Sequence, residues 1–225
     1  MIGTKKKPIQ EVLEALEGYQ KVGIVGCDGC GKTCATGGSE QVEEMAKMLK
    51  ERGKRVVFDL APNTTCNLNN IRSFFTGLEG AIKKSEALLV LGCGGAVQVV
   101  RQLTEEYGYT IPVKSGLDTV GHMDTIIPGE FLLEQCRECG QCVLNSTGGI
   151  CPVTKCAKSL LNGPCGGSQD GKCEVDSNRN CAWILIYERM KAIGEVGKLN
   201  DYLGPKDHSK AARPRTLYVK TGEVL

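Results

Sequence analysis

Along the first hundred or so residues, short apolar runs alternate with stretches of helical periodicity. Residues 21–26 (KVGIVG) form an apolar run ending in glycine, the pattern of a strand buried on both faces of a parallel sheet. Residues 39–52 place Val42, Met45, Ala46 and Leu49 on one helical face. Ser39 stands at the cap position, Glu43 and Glu44 lie near the start, and Gly53 follows the end. Residues 54–60 (KRVVFDL) predict a second strand. Residues 69–84 predict a helix burying Ile71, Phe74, Phe75, Leu78 and Ile82. Residues 87–92 (ALLVLG) predict a third strand, 96–107 a helix and 110–113 a fourth strand. Strands and helices in this alternation predict a small doubly wound α/β fold, a parallel sheet of about four strands with right-handed crossovers. In a 2-1-3-4 order, strands one and three adjoin where the order reverses, and ligands bind beyond their carboxyl ends.

After about residue 125 the pattern stops. Residues 136–181 are rich in Cys and Gly and poor in aliphatics, so metal coordination must substitute there for an apolar core. Three parts follow: an α/β domain over 1–125, a loop-rich Cys module over 126–203 and an extended arm over 204–225. The module closes with a helix or helix pair over 182–203, with Trp183, Ile186, Tyr187 and Met190 clustered on one face for packing or for docking a partner. The arm carries Lys206, Lys210, Arg213 and Arg215 and has little to bury, so it is expected to be exposed and to order, if at all, against a partner. No internal repeat is evident.

A formal charge of +2 over 225 residues gives no reason to expect nucleic acid or an anionic membrane. No apolar run reaches the roughly 18 residues of a membrane span. Residues 1–10 are Lys-rich, without an apolar h-region or a small-residue cleavage site, which points to a reduced, cytoplasmic setting and away from disulfides.

That setting matters because the chain has 13 cysteines. Eight of them (Cys136, Cys139, Cys142, Cys151, Cys156, Cys165, Cys173 and Cys181) crowd into the module. The first three read C-R-E-C-G-Q-C, and Cys151 precedes Pro152. Thiolates two residues apart converge on one centre, and three at that spacing with a later Cys-Pro are how ferredoxin-type chains wrap a four-iron cluster. Structural zinc remains the alternative, although zinc sites usually come as two close pairs and no second C-x2-C follows Cys142. Only the sharing of one centre by Cys136, Cys139 and Cys142 follows from spacing.

Four further cysteines sit where the sheet would bind a ligand. Cys27, Cys30 and Cys34 follow the first strand in G-C-D-G-C-G-K-T-C-A-T-G-G, and Cys93 follows the third in L-G-C-G-G-A. Gly29, Gly31, Gly37, Gly38, Gly94 and Gly95 would let backbone pack closely around a bulky centre. Another cluster is expected here. Cys66, after the second strand, is read as a packing residue and the obvious substitute ligand. Gly26–Thr33 also matches the phosphate-binding G-x4-G-K-S/T pattern, with Lys32 for the phosphates, Thr33 for magnesium and Asp59 as a second carboxylate. Against nucleotide binding, the helical pattern opens only near Ser39, and three cysteines crowd the loop.

The run T-G-G-I-C-P-V-T-K-C-A-K-S-L-L-N-G-P-C-G-G, continuing to N-C-A-W-I-L-I-Y-E-R, resembles the methylenetetrahydrofolate reductase C-terminal family over residues 136 to about 203. With the G-C-x-x-C-x-x-x-C domain before it, nearly the whole chain is similar to the MetV-type iron–sulfur subunit of acetogenic bacteria. The resemblance implies a part in reducing 5,10-methylenetetrahydrofolate to 5-methyltetrahydrofolate, in the methyl branch of one-carbon fixation (the Wood–Ljungdahl pathway). It implies two 4Fe–4S clusters in the module and a third in the N-terminal domain, with zinc in place of one module cluster as an alternative. FMN would reside only in a partner subunit, because no G-x-G-x-x-G fingerprint follows the first strand. The expected role is a non-catalytic relay of single electrons from a low-potential donor, such as ferredoxin or another redox subunit. A nucleotide-dependent cluster carrier and a zinc-stabilised assembly module are the alternatives.

Gly140, Gly148, Gly149, Gly163, Gly166, Gly167 and Gly171 are expected to supply tight turns and amides facing sulfur. Lys155 and Lys158 read as solvated surface, and His122 and Asp124 as hydrogen-bonded connector residues.

Overall fold

A computed structural model describes residues 1–127, 131–218 and 223–224. The chain divides into two units, Met1–Leu132 and Leu133–Leu225. The first unit begins with β1 (Ile2–Lys6) and α1 (Ile9–Ala15), and continues through β2 (Lys21–Val25), α2 (Cys30–Thr33) and α3 (Ser39–Glu51). Next come β3 (Arg55–Leu60), α4 (Leu68–Phe75), α5 (Glu79–Lys84), β4 (Ala87–Val90) and α6 (Gly94–Glu106). The strands β5 (Val113–Ser115), β6 (Leu117–His122) and β7 (Thr125–Ile127) follow, then β8 (Phe131–Leu133).

Four strands form one sheet in the order β3-β2-β4-β5, every pair parallel. This is the 2-1-3-4 arrangement expected from the apolar runs. Residues alternate along β4 between two cores. Ala87 and Leu89 join Val12, Leu16, Val42 and Leu49 on the face covered by α1 and α3. Leu88 and Val90 join Ile71, Phe75, Ile82, Val100 and Leu103 on the face covered by α4, α5 and α6. Helices on both faces make the sheet doubly wound. Gly23 is fixed by packing: a Cβ there would collide with the Phe58 ring and stand 2.8 Å from a Leu88 methyl.

Three local features depart from the pattern. The helix expected over 69–84 is two helices, broken at Gly77, whose φ of 94° lies in the left-handed region open to glycine. The fourth strand lies at Val113–Ser115, beyond the expected 110–113, because Pro112 has no N–H to give the ladder; its carbonyl accepts from Leu88 N at 2.9 Å. The stretch read as a connector around His122 is β6, which pairs antiparallel with β1. The His122 imidazole stands 3.5 Å from the Asp124 carboxylate.

The second unit is loop-rich. Its helices are α7 (Pro152–Lys155) and α8 (Ala182–Ala192), with short 3-10 turns at Leu144–Ser146, Val196–Asn200 and His208–Ala211. Two short strands, β9 (Leu217–Tyr218) and β10 (Glu223–Val224), pair with each other. Its apolar core consists of Trp183, Ile186 and Met190 from one face of α8, packed against Ile150, Leu160, Leu199 and the cysteines Cys156 and Cys181. Tyr187, expected on that face, is 48% exposed. Six of the seven glycines named for tight turns have positive φ; Gly167 alone does not, and a Cβ there would run into the Glu174 carboxylate. Among the described residues, no helix is long and apolar enough to cross a membrane.

Candidate metal centres

The loop after β2 is folded over the carboxyl ends of β2 and β3 by four hydrogen bonds. Gly26 N donates to Leu60 O at 2.7 Å, Asp28 N to Pro62 O at 2.8 Å, Cys27 N to Gly37 O at 2.7 Å, and Thr65 Oγ1 to Gly26 O at 2.6 Å. Cys27 is thereby buried, while Cys30, Cys34 and Cys93 are half-buried and Cys66 keeps an exposed edge. Cys93 caps α6 immediately beyond β4. A Cβ built on Gly95 would stand 3.7 Å from Cys93 Sγ and 3.9 Å from Cys66 Cβ, so these two cysteines flank one glycine. Burial pushes the Cys66 thiol up, and the Cys93, Cys27 and Cys30 thiols push it the same way. Cys34 faces the first strand, its Sγ donating to Ile2 O at 3.8 Å, and Ile2 N donates to Cys30 Sγ at 3.4 Å. Of the glycines around this loop, Gly29, Gly31, Gly37 and Gly38 are pressed against neighbouring backbone or the Lys32 side chain, whereas Gly94 and Gly95 have room for a Cβ.

The same loop shows what the G-x4-G-K-T pattern does here. A phosphate cradle needs outward-facing amides and a helix that opens at the Lys-Thr pair. Instead Lys32 N donates to Cys27 O, Thr33 N to Gly29 O, Cys34 N to Cys30 O and Gly37 N to Gly31 O, at 3.0–3.1 Å. The helix at the motif is the single turn α2, ended by Ala35 at φ 51°. The long helix α3 starts at Ser39, whose N and Oγ both donate to the Asp28 carboxylate at 2.8 Å. Asp59 lies on β3 and is exposed. Lys32→Ala is expected to leave metal content and thermal stability unchanged, and neither form is expected to bind ATP or GTP. Calorimetric titration checks this, and a wild-type Kd below about 1 mM, roughly 4 kcal/mol of binding, contradicts it.

In the second unit, Cys156, Cys165, Cys173 and Cys181 line one small pocket together with Glu174 and Trp183. Cys156 ends α7 and Cys181 caps α8. Cys173 N donates to Arg179 O at 2.9 Å and Cys181 N to Gly171 O at 2.7 Å, which closes the intervening loop and turns both cysteines toward the pocket. Cys165 Sγ donates to Glu174 Oε1 at 3.2 Å, and Lys158 is paired with the same carboxylate. Lys158, with Cys165 after it, holds the Glu174 carboxyl below the usual range. Lys158 lies at the pocket's edge and is exposed, in keeping with its reading as solvated surface.

The other four module cysteines lie earlier in the chain. Cys136 Sγ accepts from Glu138 N at 3.2 Å, and Cys151 Sγ accepts from Thr154 Oγ1 at 3.6 Å. Lys206 Nζ donates to Cys139 Sγ at 2.8 Å and holds that thiol below its ordinary range. The arm is exposed along most of its length, yet it is bound to its own module. Asp207 N donates to Gln141 Oε1 at 2.9 Å, Asn162 holds Leu203 through two bonds of 2.8 Å, and Arg213 pairs with Glu138. Spacing could not have revealed Glu174 or Lys206, because each acts across a turn or a long stretch of chain. Among the described residues, no three His, Cys, Asp or Glu side chains are arranged to grip a metal ion.

Residues 116–209 match a family model described as methylene-tetrahydrofolate reductase C terminal. That segment is similar to the methylene-tetrahydrofolate reductase C-terminal family. No curated protein and no solved structure matches the chain. The matched segment takes in all eight module cysteines and the arm as far as Ser209, so Lys206 falls within it. The loop carrying Cys27, Cys30 and Cys34, with Cys66 and Cys93, falls outside the match.

Proposed function

We propose that this chain is the iron–sulfur subunit of a two-subunit methylenetetrahydrofolate reductase, handing electrons to the flavin of a partner that reduces the folate. The observation that carries this reading is the pocket lined by Cys156, Cys165, Cys173 and Cys181 inside the reductase-family segment. Four cysteines lining one small pocket that includes none of Cys136, Cys139 and Cys142 support two four-cysteine centres in the module. Cys136, Cys139, Cys142 and Cys151 would serve the first, and the pocket cysteines the second.

Four-iron clusters supply one-electron chemistry, with potentials set by burial and by hydrogen bonds to sulfur. The chain's own residues fit that use. Lys206 places a positive charge on Cys139, while the Glu174–Lys158 pair places a neutralised carboxylate beside Cys165. Trp183 and Ile186 cover the apolar side of the module. The low-potential donor and the flavin subunit are partners outside this chain.

The test is the rate of flavin reduction in the partner by a reduced low-potential donor, with and without this chain, under anaerobic conditions. Acceleration by this chain is expected. An equal rate without it would remove the relay role, and a redox-silent chain holding zinc and no sulfide would make it an assembly module.

A further inference from the structure

Sequence spacing groups Cys27, Cys30 and Cys34 with Cys93, but the fold groups different thiols. β2 is the central strand, flanked by β3 on one side and β4 on the other. Each of these three strands releases a cysteine loop at its carboxyl end: Cys27 and Cys30 after β2, Cys66 after β3 and Cys93 after β4. The β3 loop is pinned to the β2 loop by Asp28 N to Pro62 O and by Thr65 Oγ1 to Gly26 O, a bond 2.6 Å long. Gly29 packs against Asn63 O as well: a Cβ on that glycine would lie 2.6 Å from it. These ties leave Cys66 little freedom to sit anywhere but beside the β2 loop. On the opposite flank, Gly95 brings Cys93 Sγ and Cys66 Cβ within 4 Å of a single point. A Cβ on Gly29 would also lie 3.7 Å from Cys27 Sγ, which sets Cys27 beside the β3 loop. Both Cys30 and Cys34 meet Ile2 of β1, in opposite senses: Cys30 Sγ accepts from Ile2 N, as a ligating thiolate can, whereas Cys34 Sγ donates to Ile2 O and needs its proton to do so.

We infer that the N-terminal centre is held by Cys27, Cys30, Cys66 and Cys93, and that Cys34 instead fastens the loop to β1. This rests on reading the N-terminal thiols as a metal centre. It does not depend on whether that centre is iron–sulfur or zinc.

The full-length chain is alkylated with iodoacetamide, metal-free and after anaerobic loading with iron and sulfide or with zinc, and each cysteine is followed by mass spectrometry. Only a free thiolate is a good nucleophile, so ligation should slow alkylation of Cys66 at least about tenfold and leave Cys34 within about twofold. Cys66 is the more exposed of the two, so protection of Cys66 runs against the order that simple burial dictates. Protection of Cys34 with Cys66 left reactive would overturn the assignment, as would no change at either. Protection of Cys66 by zinc, in a chain that takes up no iron and sulfide, would keep the ligand set and sink the electron-relay reading. As a second readout, Cys66→Ser should lose about four irons per chain and Cys34→Ser none, since a four-iron cluster takes four cysteines. The reverse pattern would refute the inference.

Discussion

Stripping metal from the full-length chain with a chelator is expected to unfold Leu133–Leu225 while Met1–Leu132 stays folded. The first unit has two apolar cores, one on each face of a four-stranded sheet. The second has three buried large side chains, Trp183, Ile186 and Met190. Each contributes about 1.5–3 kcal/mol. Cysteine-bound structural metal contributes on the order of 10–16 kcal/mol in small zinc domains, where binding and folding are one event. Removing the metal should therefore remove most of what orders the cysteine loops. Limited proteolysis should yield a resistant fragment ending near Leu132, and the melting transition of the α/β unit should be unchanged. A second unit that stays protease-resistant without metal would show that its protein contacts suffice.

Trp183→Ala is expected to destabilise the second unit by about 3–5 kcal/mol, the usual cost of truncating a large buried aromatic. The indole fills the core beside Cys156 and Cys181 and lines the four-cysteine pocket. Its Nε1 donates to Leu160 O at 3.0 Å, so truncation also deprives that carbonyl of its partner. Trp183→Phe keeps most of the apolar contact and loses only the hydrogen bond, at about 1 kcal/mol. The two variants should separate in the temperature at which the loaded protein releases its metal, with the alanine form lower. Wild-type release from both would mean that the thiolates alone fix the pocket.

The sheet was readable from the sequence because a parallel strand buried on both faces must be apolar: ALLV is so throughout and KVGIV after Lys21, while edge strand RVVFDL is apolar at Val56, Val57, Phe58 and Leu60 with Arg55 and Asp59 exposed. The break at Gly77 was not, since Phe74, Phe75, Leu78 and Ile82 hold helical spacing straight through it. β1 escaped notice because Ile2–Lys6 (IGTKK) carries a single large apolar residue and pairs with a strand over a hundred residues away. The thiol sites divide in the same way. Spacing singled out the C-R-E-C-G-Q-C run and the cysteines after β2, because these lie close together in sequence. It gave no sign that Cys66 lies beside Cys93 at Gly95 or that Lys206 meets Cys139, contacts that depend on the strand order and on the path of the arm.

The pairing of β1 with β6 also sets an order of events during folding. Ile2 sits opposite His122, so the ladder closes a loop that contains every strand of the central sheet. Closing so long a loop early would cost chain entropy with little local contact in return. The four-stranded sheet is therefore expected to form first, with β1 pairing onto β6 afterwards. During synthesis, Ile2–Lys6 must wait until β6 has left the ribosome. The backbone of Ile2 touches both Cys30 and Cys34, so the β2 loop acquires its last contacts in that late step. A metal centre of the kind proposed for this end of the sheet would have a natural window for loading, after the sheet has formed and before the first strand seals the loop.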